Sequence, residues 1–234
     1  MSPPVVERLQ PFHLLFLIII ILLNGCASTA NNHESKISNT DAAREYRDAQ
    51  WNELQQSNLN IQSWSLKGKI GVKSGRKGGS ATLNWDYQNA TQNIELYGPF
   101  GGGRVHITAN EDSATLKDTK GKIIQGRSAQ DVLFQRLGWH IPFEELILWS
   151  RGLPNEGATD IVTDSSGRLQ SLNQGVWHVE YLEHRTINNY TLPRKLTISS
   201  LPGTLEVYDD DGNNLGDQLT VKIIFKRWWD IKPD

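Results

Sequence analysis

From Trp64 onward the apolar residues of this chain keep a period of two, and nothing else in the sequence limits its fold as much. Leu66, Gly68, Ile70 and Val72 alternate with Lys67, Lys69 and Lys73. After a turn at Gly75-Arg76-Lys77-Gly78-Gly79, Ala81, Leu83, Trp85 and Tyr87 alternate with Ser80, Thr82, Asn84 and Asp86. Ile94, Leu96, Val105, Ile107, Ala114 and Leu116 continue the pattern, which resumes at residues 169–172 and then at Trp177, Val179, Tyr181, Leu196 and Ile198. A last hairpin is expected from Leu205 and Val207, a turn around Asp211-Gly212-Asn213-Asn214, and Leu219, Val221, Ile223 and Phe225. Successive side chains on a strand point to opposite faces, so each segment has one wet and one apolar face, as in antiparallel sheets covered on one side.

Two helical segments interrupt the strands. Ser128 with Asp131 three residues on forms a capping-box pattern ahead of Val132, Leu133, Phe134 and Leu137, and Gly138 ends it. Pro142 suits a first helical position, followed by Phe143, Leu146, Ile147 and Trp149 before Gly152. A third helix is expected to open at Asp41 and run to about Ser57, with Tyr46, Ala49, Gln50, Trp51 and Leu54 as a weak apolar stripe lying across the sheet. The total is roughly ten strands and about three helices in one domain, a mainly β (α+β) class with a strongly curved sheet or open barrel wrapped over helices.

The start of the chain follows different rules. A short charged opening with Glu7 and Arg8 precedes an apolar run from Leu14 to Leu23, and Asn24-Gly25 leads to the only cysteine, Cys26. The run is too short to span a bilayer, which takes roughly 20 residues. The arrangement is similar to a bacterial lipoprotein signal, with residues 1–25 removed and Cys26 becoming an N-palmitoyl, S-diacylglyceryl mature N-terminus. Leu23 and Gly25 fit that pattern, while Asn24 stands where Ala, Ser or Thr is commoner. Ala27 after the cysteine lacks the Asp that retains such proteins in the inner membrane, which implies an outer-membrane destination. Residues 27–40 are small, polar and aperiodic, and read as a tether from anchor to domain. With its one cysteine committed to lipid the mature chain has no internal disulfide, so stability falls to the core.

Composition and motifs narrow the chemistry. A net charge of -2 argues against nucleic acid. Gly98-Pro99-Phe100-Gly101-Gly102-Gly103 lacks the Lys-Ser/Thr of a phosphate loop and runs on into a strand, Arg104-Val105-His106-Ile107. Phe100 has only Pro and Gly beside it, so nothing local covers its ring and a partner is expected. The acidic turn Asp209-Asp210-Asp211-Gly212-Asn213 puts its Gly at the wrong offset for calcium and reads as a solvated hairpin tip. His106, His140, His178 and His184 lack metal-ligand spacing, and Glu144 and Glu145 are helix neighbours facing different ways. No catalytic residue, metal or cofactor is expected.

Several collinear segments together resemble one family, the outer-membrane lipoprotein receptors of the LolB type. They are the signal ending at Cys26, Gln50-Trp51, Trp64-Ser65-Leu66-Lys67-Gly68-Lys69-Ile70, Leu83-Asn84-Trp85 and Leu96-Tyr97-Gly98-Pro99-Phe100-Gly101. Gly138-Trp139-His140-Ile141-Pro142, Leu148-Trp149-Ser150-Arg151-Gly152-Leu153-Pro154, Trp177-His178-Val179-Glu180-Tyr181, Leu192-Pro193-Arg194-Lys195-Leu196 and Lys226-Arg227-Trp228 complete the set. The resemblance implies an unclosed antiparallel β-barrel, residues 41–234, whose helices cover an apolar cavity for acyl chains. It implies a monomer on the periplasmic side of the outer membrane that takes client lipoproteins from the soluble carrier LolA and inserts them into outer-membrane lipid. Alternation and helix stripes turn Leu66, Ile70, Leu83, Trp85, Leu96, Ile107, Leu133, Trp149, Val179, Ile198 and Val221 inward, and under the resemblance they line the cavity. Phe100 occupies the position of a protruding apolar residue, usually Leu, that drives release into the membrane, on a loop with Gly98, Pro99 and Gly101. The alternative from a different class is a structural or ligand-binding lipoprotein of similar fold with a filled core.

Overall fold

The computed structural model describes residues 31–75, 77–98, 103–208 and 214–233. The chain forms two compact units, Met1–Glu45 and Tyr46–Asp234. Helix α1 (Asn31–Leu59) leads into strands β1 (Ile61–Ser74), β2 (Lys77–Gln88), β3 (Thr91–Tyr97), β4 (Val105–Ala109), β5 (Ala114–Asp118) and β6 (Ile123–Gly126). Helices α2 (Ala129–Leu137) and α3 (Phe143–Trp149) follow, then β7 (Thr159–Thr163), β8 (Leu169–Gln174), β9 (Trp177–Ile187) and β10 (Tyr190–Ser200). The short β11 (Val207–Tyr208) and β12 (Asn214–Gly216) precede the long β13 (Leu219–Pro233).

Eleven of these strands form one antiparallel sheet in the order β6-β5-β4-β3-β2-β1-β13-β10-β9-β8-β7. Two meanders, β1 to β6 and β7 to β10, are joined by β13, which pairs with β1 on one side and β10 on the other. The ends of the order, β6 and β7, do not pair, so the sheet is unclosed. Inward residues fall into register across many strands. One apolar ladder runs Leu66, Trp85, Ile94, Ile107, Leu116, Ile124 and another runs Val72, Val221, Ile198, Val179, Leu172. Both belong to a single buried cluster shared with α2 and α3, to which every strand of the sheet but the exposed edge strand β7 contributes, so ten strands and two helices enclose one core.

Three features depart from the sequence expectation. Helix α1 starts at Asn31, ahead of Asp41, because periodicity reports burial whereas backbone hydrogen bonding propagates through polar residues once a turn is nucleated. The final hairpin is the small pair β11-β12, and β13 turns away from it into the middle of the sheet. Strand β7 has no alternation to betray it, since nearly all its side chains are exposed at an edge. The acidic tip at residues 209–213 lies outside the described residues.

At the central seam one glycine is required. A Cβ on Gly68 would sit 2.5 Å from the Ile224 carbonyl oxygen, beside a bulge where the register between Lys67 and Gly68 shifts against β13. Gly68→Ala should therefore lower stability by about 1–3 kcal/mol through overpacking against backbone. Gly71→Ala, whose added carbon would meet nothing nearer than 3.9 Å, should cost much less. Denaturant midpoints of the two variants test the difference.

Candidate functional site

The sheet interior is the one place where the sequence-predicted residues converge. All eleven, from Leu66 to Val221, belong to the shared core cluster. Strands supply nine of them, α2 supplies Leu133 and α3 supplies Trp149. None exposes more than 1% of its surface, so in this form they pack against their neighbours and face no water-sized void. Sequence reasoning left out Trp64, Ile141, Phe143 and Leu146, which are equally buried. Phe143 and Leu146 stand on the same helix stripe as Trp149, a signal that would have found them.

Aromatic rings organise one end of this interior. Trp64 meets Trp85 edge-on at 4.7 Å between centroids, stacks on Tyr87 at 5.6 Å and touches Trp228 at 5.4 Å. Trp85 in turn meets the ring of Phe143 at 5.3 Å and 88°, the contact by which α3 rests on β2. Edge-to-face pairs of this kind add a directional component to burial. The indole N–H groups of Trp64, Trp85 and Trp149 and the Tyr181 hydroxyl are buried without a hydrogen-bond partner among the described residues. Burial pushes the Tyr181 phenol well above its ordinary value. The interior thus has almost no polar acceptors and suits a hydrocarbon better than a polar ligand.

The helices that roof the interior are fixed at both ends by polar contacts. On α2, Ser128 caps the first turn by accepting from the Asp131 amide, and Gly138 in the left-handed conformation ends the helix. Arg136 then reaches the Asp118 carboxylate of β5 at 2.9 Å. Burial alone would raise the Asp118 carboxyl, but the Lys122 amide, Arg136 and the Lys120 amide outweigh it and hold the pKa below 3.8. Glu144 of α3 accepts from the Ala129 amide at 2.9 Å, tying the two helix starts together. Burial raises the Glu144 carboxyl. Beyond α3, the buried Arg151 donates to the carbonyls of Ile61 at 2.7 Å and Ile147 at 3.2 Å. Asn58 donates to the carbonyls of Arg151 and Thr191 at 2.7 and 3.0 Å, so one knot joins the end of α1, β1, α3 and β10.

Between those anchors the α2–α3 connection crosses β2 on a single aromatic ring. Trp139 lies over Gly79 so closely that a Cβ there would be 2.6 Å from Trp139 Cζ2. His140 lies with its ring tilted by 31° at 4.1 Å from that of Phe134, which points away from the core and is 42% exposed. Of the predicted loop residues, Gly98 follows β3 directly, while Pro99, Phe100 and Gly101 lie outside the described residues, as does Cys26. No cluster of His, Cys, Asp or Glu with metal-binding geometry occurs among the described residues.

A family model described as "Outer membrane lipoprotein LolB" matches residues 62–228. The chain is 31% identical over 208 residues to the outer-membrane lipoprotein LolB of Pseudomonas syringae pv. syringae, covering 87% of this chain and 98% of the relative. It is 32% identical over 200 residues to the LolB of Pseudomonas aeruginosa, covering 84% and 94%. A solved LolA-superfamily protein of Nitrosomonas europaea overlaps 75% of this chain and 90% of its own at a TM-score of 0.44 and 7% identity, too low a likeness to carry an argument.

The Asp118–Arg136 contact predicts how the roof responds to acid. Because the folded carboxyl titrates below its ordinary 3.8, its stabilising contribution is complete above about pH 5 and is lost progressively as pH falls through 3.8 to the folded value. Asp118→Asn should be less stable than the parent at neutral pH, and the gap should close in acid. Denaturant melts of both proteins across that range provide the check.

Proposed function

The chain belongs to the LolB family of outer-membrane lipoproteins, and from that premise we propose that it receives client lipoproteins from the periplasmic carrier LolA, shelters their acyl chains in the sheet interior and inserts them into the outer membrane. The family serves lipoprotein localisation and is not one of enzymes. In this reading residues 1–25 are the signal, Cys26 carries the lipid anchor, residues 26–40 lead to the domain, and the domain works as a monomer facing the periplasm. The observation that carries the reading is the single apolar interior spanning ten of the eleven sheet strands and roofed by α2 and α3.

The energetics fit a passive handover. Burying an acyl chain of about 16 carbons gains on the order of 12 kcal/mol gross, and a bilayer offers a similar gain. A host of matched apolarity passes the chain on without a deep trap and without nucleotide energy. Since the interior side chains are packed, the acyl chain enters where the roof gives way, and the ring of Trp139 over Gly79 is one contact it would displace. The same packing favours the second reading, a filled core in a structural lipoprotein.

Uptake of a fluorescent fatty-acid analogue separates the two, since a transporter binds it and a solid scaffold does not. Leu83→Glu places an unpaired charge in the interior and should abolish uptake. Circular dichroism must show that variant folded, and a folded variant with undiminished uptake would sink the cavity. Phe100→Leu should be nearly neutral. Phe100→Glu should capture clients normally yet fail to insert them, because a carboxylate resists entry into the bilayer; a loss of several kcal/mol in stability would instead place Phe100 in the core. Mass spectrometry of the mature protein should find diacylglyceryl and acyl mass on Cys26, absent from Cys26→Ala.

A further inference from the structure

The face of the sheet opposite the helices carries a charge pattern that client handling does not use. Three adjacent strands at the centre, β10, β13 and β1, present Lys195, Lys222, Arg227, Lys67, Lys69 and Lys73 outward. All but the half-buried Lys195 are exposed. Residues 67–73, 195–199 and 222–227 contain no Asp or Glu, although the chain as a whole has a net charge of -2. Lys67 stands directly across from Arg227, and Lys69 and Lys195 flank Ile224 from either side. Like charges opposite one another on a sheet are destabilising, and no ion pair among the described residues relieves these. The nearest carboxylates lie at the rim of the patch: Asp230 is on β13 three residues past Arg227, and Asp86 and Glu95 line a surface cleft with Lys67 and Arg227. Asp86 is on β2 and Glu180 and Glu183 are on β9, with Glu183 already paired to Arg194. Beside the patch, Trp229 is half-buried under the Arg227 guanidinium, 5.5 Å from its ring centroid.

We propose that this face is a docking surface for anionic phospholipid headgroups, which holds the domain against the membrane with its helix-roofed interior turned away from the sheet's basic side. Five of the six cations are lysines, point charges on long flexible stems with no fixed hydrogen-bond geometry. That suits a diffuse, mobile field of phosphates better than a protein partner, which would be met by bidentate arginines in defined pairs. Half-buried Trp229 and Ile224 supply the apolar contact that favours the headgroup layer. The proposal rests on the lipid-anchored reading. An anchored domain always has a membrane within reach, so even weak electrostatic attraction acts at high effective concentration.

The test uses the mature chain, residues 26–234, with Cys26→Ser so that no acyl anchor contributes. Its sedimentation with phosphatidylcholine vesicles is compared with vesicles containing a third phosphatidylglycerol. Binding should require the anionic lipid and weaken with added salt. Lys67→Glu/Lys69→Glu/Lys222→Glu should weaken it on the order of 100-fold, and the corresponding Gln variant should fall between this and the parent. Lys120→Glu, in the β5–β6 turn, should stay within about two-fold of the parent, because added charge outside the patch does not act. Equal binding to both vesicles, or undiminished binding by the triple variant, overturns the proposal. So does a triple variant that keeps vesicle binding but loses transfer from the carrier, since that result assigns the face to an acidic protein. Fatty-acid uptake measured on the same proteins should be unchanged by the triple variant; absence of uptake in the parent would defeat the transport reading and leave the vesicle result standing.

Discussion

Everything in this domain depends on the pairing of β13 with both β1 and β10. Without it the chain would hold two separate meanders, each with an apolar face too broad for its own helices to cover. The 15 residues of β13 close both gaps at once, and the ladders of inward side chains become continuous from β1 to β8 only through its Val221 and Ile223. The pairing is also long-range, because it joins the last strand of the chain to the first. Its loop-closure entropy is large, and it forms under tight steric terms. Gly68 is the local sign of that, since the β1 backbone passes so near Ile224 that no side chain fits.

The roof is built on different principles from the sheet. Alternating strands bury apolar rows without needing any one partner, whereas α2 and α3, which bury Ala129, Val132, Leu133, Phe143, Leu146 and Trp149 in the same core, are also positioned by a few directional contacts. Arg136 to Asp118 holds one end, Arg151 and Asn58 hold the other, and a tryptophan laid on a glycine spans the middle. Directional contacts are lost one at a time, while a dispersed apolar surface separates only as a whole.

The two faces of the sheet divide the chemistry. The inner face offers hydrocarbon and little else, with three indole N–H groups left without acceptors, and the outer face gathers lysines along its central strands. The same period of two generates both, since on β1 the outward Lys67, Lys69 and Lys73 alternate with the inward Leu66, Ile70 and Val72. On the proposed function, passing acyl chains to a bilayer takes an apolar host and an orientation toward lipid, and a single alternating strand can contribute to each.

The sequence by itself determined the class of fold, the identity of the interior residues and the boundaries of α2, while α3 starts one residue after Pro142 and is capped at Ser150, ahead of Gly152. Those depend on local rules, namely which face a side chain takes on a strand and which residue caps a helix. The eleven inward residues were legible for that reason, and Ser128 and Gly138 bound α2 where their chemistry requires. The family resemblance, spread over many short segments, pointed to acyl chains as the cargo, which alternation alone does not specify. Only the tertiary structure decided where β13 goes, that Arg151 and Asn58 knot four elements together, and that Trp139 rests on Gly79. The clustering of cations from three strands distant in sequence onto one patch was likewise invisible before the strand order was known. In each case the partners are far apart along the chain, and no local pattern records which distant backbone will lie within hydrogen-bond reach.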